Sequence, residues 1–208
     1  MKKGNKMNLT NIYIDCDEVL LDTARTIADF LHEQYNITVD KNKYPSDWKL
    51  PDDLHTNCQS IVAEFAKTDR FSDIPIMPNA KEGVFALKNI GYFLSIISSI
   101  SQDAEALKKR EQNIHKLFGS DVFTSITCYP MGLDNKGKYY SSVPKGIVID
   151  DALYNLLTAQ KYGHEVILMA TKQNAHMQQE AKKRHITIHH SLVNVAQFLH
   201  DRQRDFTT

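Results

Sequence analysis

The sequence has no excess of either charge: 25 lysines and arginines stand against 25 aspartates and glutamates. Without a net field, nothing draws the chain over long range to a nucleic acid polymer or an anionic membrane. Cysteine is scarce and odd in number. Cys16, Cys58 and Cys128 lie far apart, which argues against a disulfide framework and fits a reducing, cytoplasmic setting. Long apolar runs are missing too; the longest, near GYFLSII, is far too short to cross a bilayer. The basic start, MKKGNKMN, is followed by no apolar h-region, so it reads as a frayed tail and not as a secretory signal. No internal repeat or low-complexity tract is present. What is there is ordinary globular material, 42% hydrophobic and 24% charged over 208 residues, enough for one full core with room for an insertion.

The clearest pattern is a short apolar run ending in a polar cluster. IYI ends at Asp15, YFLSII at Ser98 and Ser99, VFTSI near Thr127, GIVI at Asp150 and Asp151, and VILMA at Thr171. Such runs suit strands covered on both faces, as in a parallel sheet. Helical spacing falls between them. AKEGVFALKNIG places Val84, Leu87 and Ile90 on one face and stops at Gly91; SQDAEALKKREQNIHKLFG starts from an expected N-cap at Ser101 and stops at Gly119; DALYNLLTAQKYG stops at Gly163. Alternation of this kind predicts an α/β fold of βαβ units with right-handed crossovers. HITIHHSLVNVAQFLHDR reads as an edge strand and a closing helix. Between Asp22 and about Pro78 the rhythm breaks. TARTIADFLHEQYN is an amphipathic helix with Ile27, Phe30, Leu31 and Tyr35 together, YPSDWKLPDD a turn region, and LHTNCQSIVAEFAKT a second helix. The expected division is a core of residues 1–22 plus 79–208 and a small helical insertion over 23–78.

In a parallel sheet, ligands gather at the carboxyl ends of the strands. There the first strand delivers Asp15 and Asp17, with Glu18 adjacent, the second Ser98 and Ser99, and the fourth Asp150 and Asp151. Lys136, Lys138 and Lys145 precede the fourth strand as candidate cations. So many acids at one rim repel one another; a divalent cation would offset that, and a set of hard oxygen ligands suits Mg²⁺. In extended chain, Asp15 and Asp17 point the same way and Cys16 turns into packing. One carboxylate can attack phosphorus, the other can protonate a leaving oxygen and then activate water, and a serine and a lysine can hold the phosphoryl oxygens.

These stretches resemble the haloacid dehalogenase superfamily of phosphohydrolases. IYIDCDEVLLD matches its first motif, DxDx[VT]; FLSIISS matches its second, a strand ending in Ser or Thr; GIVIDDALYNL matches its fourth, a strand ending in paired acids; FSDIPIMPNAKEGVFAL resembles the return from an inserted cap. The resemblance implies a Rossmann-like core with a C1-type helical cap after the first strand. It implies Asp15 as nucleophile, Asp17 as acid/base, and Mg²⁺ held by Asp15, the Asp17 main-chain oxygen and the Asp150–Asp151 pair, with Asp151 preferred as direct ligand. The second-motif hydroxyl is Ser98 or Ser99, with Ser98 preferred. The third-motif lysine is Lys138, ahead of YYSSV, with Lys136 next and Lys145 too near the strand. The wording DCDEVLLD and IDDALYNL is most similar to the 5′(3′)-deoxyribonucleotidases. That implies a nucleoside monophosphate held against cap aromatics, among which Trp48, Tyr44, Phe65 and Phe71 could stack on a base. Ser99, Trp48 and Lys136 are the expected substrate contacts.

Other readings compete. A phosphatase of another small metabolite, such as a sugar phosphate, uses the same chemistry. A receiver-like or catalytically silent phosphate-binding module would share acids, hydroxyl and lysine, but a receiver carries its acceptor Asp after a middle strand, where VFTSITCYPMG has none. The histidines of HITIHH form no zinc pattern, Cys16 is expected to be packing, and LKKREQ in the long helix is expected to be a solvated face.

Overall fold

The computed structural model describes residues 10–51, 57–100, 103–130 and 135–205. The MKKGNKMN start and Ser101 lie outside the described residues, as do the first residues of the stretch read as LHTNCQSIVAEFAKT. Six parallel strands form one sheet: β1 (Asn11–Ile14), β2 (Phe93–Ile100), β3 (Ser125–Pro130), β4 (Ile147–Asp150), β5 (Glu165–Met169) and β6 (Thr187–His189), in the order β3-β2-β1-β4-β5-β6. β1 therefore lies inside, with Ile12 level with Leu94 of β2 on one side and with Ile147 of β4 on the other. This is the α/β arrangement expected of the alternating pattern, and the Rossmann-like core that the resemblance implies.

Both faces of the inner strands are buried, which is why they read as unbroken apolar runs. Ile12, Ile14, Ile96, Ile147, Ile149 and Ile167 belong to one core, and the intervening Tyr13, Ile97, Val148 and Leu168 to the other. The first core is covered by α1 (Thr23–Tyr35), α3 (Ala80–Asn89), α4 (Ala104–Phe118) and α8 (Leu192–Arg204); the second by α5 (Asn135–Ser142), α6 (Leu153–Lys161) and α7 (Ala175–Lys183). α3 and α8 approach so closely that a Cβ on Gly83 would lie 2.3 Å from Leu192 Cβ. Gly91, at φ 97°, follows α3 in the left-handed region where side chains are strained.

Two expectations shift. α4 is capped by Asp103, whose carboxylate accepts from the Glu105 and Ala106 amides, because Asp at that position reaches the open N–H groups of the first turn. β3 starts at Ser125 and not at Val122. The Thr124 amide and hydroxyl both bond the Leu94 carbonyl, so the chain enters register only after Thr124, while Phe123 packs edge-on to Phe118.

Between β1 and β2 the described chain contains no strand, in keeping with the sequence. It runs through α1, a 3₁₀ turn at Pro45–Asp47, α2 (Cys58–Phe65), a second 3₁₀ turn at Asp69–Asp73, and α3. It leaves and returns side by side: the Asp22 amide bonds the Pro75 carbonyl at 2.9 Å and the Met77 amide the Leu20 carbonyl at 2.8 Å. Phe65 packs on both Phe30 and Phe71 here. No described helix is long and apolar enough to cross a membrane.

Candidate functional site

The carboxyl ends of β1 and β4 are welded together. The Asp15 amide bonds the Ile149 carbonyl at 2.8 Å, extending the pairing by one residue and setting Asp15 beside Asp150. Carboxylate oxygens of Asp15, Asp150 and Asp151 all lie within 4.8 Å of one another, and all three residues are buried. Lys136, only 5% exposed, enters from α5 and places Nζ 2.8 Å from both Asp15 Oδ1 and Asp150 Oδ2. Asp150 is fully engaged, accepting also from the Ala152 amide and from Asn155 Nδ2. Asp151 accepts from the Tyr44 hydroxyl, 2.6 Å from Oδ2.

The electrostatics follow from this crowding. Burial, with the negative neighbours Asp150 and Asp17 adding to it, pushes the Asp15 carboxyl up, although Lys136 pulls the other way. Burial, followed by Asp150 and Asp15, pushes Asp151 well above the usual carboxylate range. Burial disfavours the Lys136 ammonium, but Asp15 and Asp150 outweigh it and hold its pKa well above that of a free lysine. The donor set has three buried carboxylates around one ammonium, so the cluster is short of positive charge. An all-oxygen donor set of this kind fits a small hard cation such as Mg²⁺.

Asp17 forms a second group. Arg110 Nη2 lies 2.7 Å from its Oδ1, and the Thr23 hydroxyl donates to the same oxygen at 2.5 Å. Ser98 Oγ is 3.5 Å from Oδ2. Arg110 is 1% exposed, its Nη1 contacts Cys16 Sγ at 3.1 Å, and its guanidinium sits 4.7 Å from the Phe71 ring centre.

Glu18 stands beside Asp17 in the left-handed region, at φ 60°, a conformation costly for a side chain with a Cβ. Its Oε1 accepts from the Ala24 amide at 2.7 Å, capping α1, and its Oε2 from Gln173 Nε2 at 2.9 Å. Burial, with Asp17 adding to it, raises its pKa to about 7. Above these residues lies a cavity of about 450 Å³. Asp17, Glu18, Ser99 and Asp151 form its polar floor, and Ala24, Ile27, Tyr44, Pro45 and Val62 much of its wall.

The structure thus brings together Asp15, Asp17, Ser98, Ser99, Lys136, Asp150 and Asp151. It does not bring Lys138, which is exposed on α5. The helical phase decides this. Lys136 shares the inward face with Tyr139 and Tyr140, three and four residues on, whereas Lys138 is half a turn away. Trp48 is likewise elsewhere: it is 7% exposed within the core, with its indole N–H on the Asp40 carbonyl at 2.9 Å. Of the four aromatics considered, Tyr44 lines the large cavity, while Phe65 and Phe71 line a narrower one shared with Arg110. LKKREQ is a solvated face only in part: Lys108, Glu111 and Gln112 are exposed. Lys109 and Arg110 are both buried, and Arg110 was the residue missed. Its signal was the spacing Ala106, Arg110, Ile114, which puts the arginine in line with the apolar stripe.

No protein-family model and no curated protein matches this sequence. Solved structures do match over nearly the whole chain. A haloacid dehalogenase-like family hydrolase from Streptococcus pneumoniae aligns with a TM-score of 0.64 at 15% identity, over 92% of this chain and 98% of its own. A phosphatase predicted from Clostridium acetobutylicum gives 0.65 at 16%, over 93% and 99%. D,D-heptose 1,7-bisphosphate phosphatase from B. bronchiseptica, solved with magnesium and phosphate, gives 0.58 at 15%, over 93% and 99%. The chain has the haloacid dehalogenase-like fold. At such identities the likeness speaks for the fold alone.

Proposed function

We propose that this protein is a Mg²⁺-dependent phosphomonoester hydrolase working through an aspartyl-phosphate on Asp15. The supporting observation is the convergence of Asp15, Lys136, Asp150 and Asp151 at one buried rim, next to Asp17 and beneath a cavity. Asp15, Asp151 and the Asp17 main-chain oxygen would hold the cation; Asp150, engaged by Lys136, the Ala152 amide and Asn155, would orient the cluster. The cation, when bound, would neutralise phosphoryl oxygens and the approaching carboxylate. Asp15 attacks phosphorus, Asp17 gives a proton to the leaving oxygen, and Asp17 then takes one from the water that releases phosphate. Ser98, Ser99 and Lys136 steady the phosphoryl oxygens. Residues 23–78 act as a cap that screens this chemistry from bulk water.

For the substrate we favour a nucleoside monophosphate, as in a 5′-nucleotidase or 5′(3′)-deoxyribonucleotidase. The wall of Ala24, Ile27, Tyr44, Pro45 and Val62 suits a flat, weakly polar group better than a ring of hydroxyls. A sugar phosphate is the second reading: Ser46 and Gln59 also border the cavity, and one structural neighbour is a heptose bisphosphate phosphatase. A phosphate-release screen across nucleoside monophosphates and sugar phosphates, with Asp15→Asn in parallel, tests both. Turnover by wild type and none by the variant is expected. Equal inertness of the two would reject the hydrolase, and a stable acyl phosphate without release would indicate a receiver-like module. Preference for sugar phosphates would reject only the nucleotide.

A further inference from the structure

The two oxygens of Asp17 are treated unequally. Oδ1 receives two strong donors, Arg110 Nη2 at 2.7 Å and Thr23 Oγ1 at 2.5 Å. Among the described residues, Oδ2 has only Ser98 Oγ at 3.5 Å, too long for a firm bond. The anchor itself is fixed: Arg110 is buried, its Nη1 rests on Cys16 Sγ, and its guanidinium carbon lies over the Phe71 ring. Its Nε has no hydrogen-bond partner among the described residues, so the guanidinium is held through its two Nη atoms. An arginine also suits the position because it stays protonated throughout the working pH range and cannot itself enter the proton exchange.

We propose that Arg110 is a positioning residue that, with Thr23, pins Asp17 through Oδ1 and reserves Oδ2 for proton transfer. This rests on the hydrolase reading above. In the first step the bond from Asp15 to phosphorus forms as the ester P–O bond breaks, and the leaving oxygen takes the proton from Asp17 Oδ2. In the second, water's oxygen bonds phosphorus as the Asp15–phosphorus bond breaks, and the water proton returns to Oδ2. Without the anchor the carboxyl turns about its Cα–Cβ and Cβ–Cγ bonds, and neither oxygen is held at the reacting atom.

The leaving group separates this role from a general loss of structure. An alkyl phosphate needs its leaving oxygen protonated; a 4-nitrophenyl phosphate leaves as a stable phenolate and needs little help. kcat/KM covers only the steps through departure of that group, so Arg110→Gln should lose about 100-fold in kcat/KM on an alkyl phosphate, within the range carried by general acids, and about threefold or less on the aryl ester. Thr23→Val should show the same bias at about 10-fold, and it leaves the buried arginine in place should Arg110→Gln fail to fold. Arg110→Lys should recover part of the alkyl activity. Equal losses on the two esters in Thr23→Val and Arg110→Lys, or a shared rise in KM, would overturn the positioning role while leaving the hydrolase reading intact. A wild type inert on both esters would instead remove the hydrolase reading and this inference with it.

Discussion

Lys136 Nζ sits 2.8 Å from Asp15 Oδ1 and 2.8 Å from Asp150 Oδ2, joining the end of β1 to the end of β4 by one ammonium. Its removal leaves two buried carboxylates without their cation. Lys136→Met should therefore destabilise the metal-free protein by about 3–5 kcal/mol, the usual cost of stripping one partner from a buried ion pair. Added Mg²⁺ should raise the melting point of this variant more than that of wild type, because the metal replaces part of the missing charge. Lys138→Ala, on the exposed side of the same helix, should change stability by under about 0.5 kcal/mol. Thermal melts of the two variants with and without Mg²⁺ make the comparison; a Lys138 variant as damaged as the Lys136 variant would contradict it.

Tyr44→Phe should weaken Mg²⁺ binding at neutral pH. The phenol donates to Asp151 Oδ2 at 2.6 Å and lowers the proton affinity of a carboxyl that burial, Asp150 and Asp15 push upward. Without that donor a proton competes better with the cation. The dissociation constant measured by calorimetry should rise about 3- to 10-fold, the equivalent of one hydrogen bond, and the deficit should shrink as the pH is raised. An unchanged constant would show that the phenol does not influence Asp151.

His164 should make the protein less stable in mild acid. Its Nε2 lies 2.8 Å from the Tyr140 carbonyl, which can only accept, so the proton is on Nε2; Nδ1 then accepts from the Gly146 amide at 3.3 Å. A second proton on Nδ1 would face that N–H. Burial, the largest cause, and the Lys145 charge hold the folded pKa below the ordinary 6.5. The folded state thus binds fewer protons than the unfolded one. Its stability is intact above 6.5 and is lost as pH falls from there toward the folded pKa. Melting points taken from about pH 7.5 down to about pH 5.5 should fall more steeply for wild type than for His164→Gln, and ¹⁵N shifts should report the Nε2–H tautomer above the window. Equal slopes would assign the acid sensitivity elsewhere.

How much of this was legible in the sequence depends on what kind of signal each residue leaves. β1, β4 and β5 were plain because strands buried on both faces leave unbroken apolar runs, and Asp15, Asp150 and Asp151 were plain because they end those runs. Lys136 and Lys138 could not be separated by distance from β4; only the phase of α5, with Tyr139 and Tyr140 marking its buried side, decides between them. Trp48 was the expected contact and Tyr44 only one of the aromatics that could stack, yet the turn after Tyr44 sends Tyr44 to the cavity and Trp48 to the core. Arg110 was hidden because charge in an amphipathic helix ordinarily faces water, and its partner Asp17 is far away in sequence.

The placing of β1 between β2 and β4 has a consequence for how the chain acquires its shape. As the polypeptide emerges from the ribosome, residues 11–14 come first, yet their hydrogen-bonding edges wait for residues 93–96 on one flank and 147–149 on the other. The whole α1-to-α3 excursion has to be synthesised before either edge is closed, and such distant pairings form slowly. Until then an apolar strand tip bearing Asp15 is left open to other chains or to chaperones. Assembly of the acidic rim is therefore tied to the arrival of β4, and a nascent fragment released before residue 147 has neither a closed sheet nor the cluster of Asp15, Asp150 and Asp151.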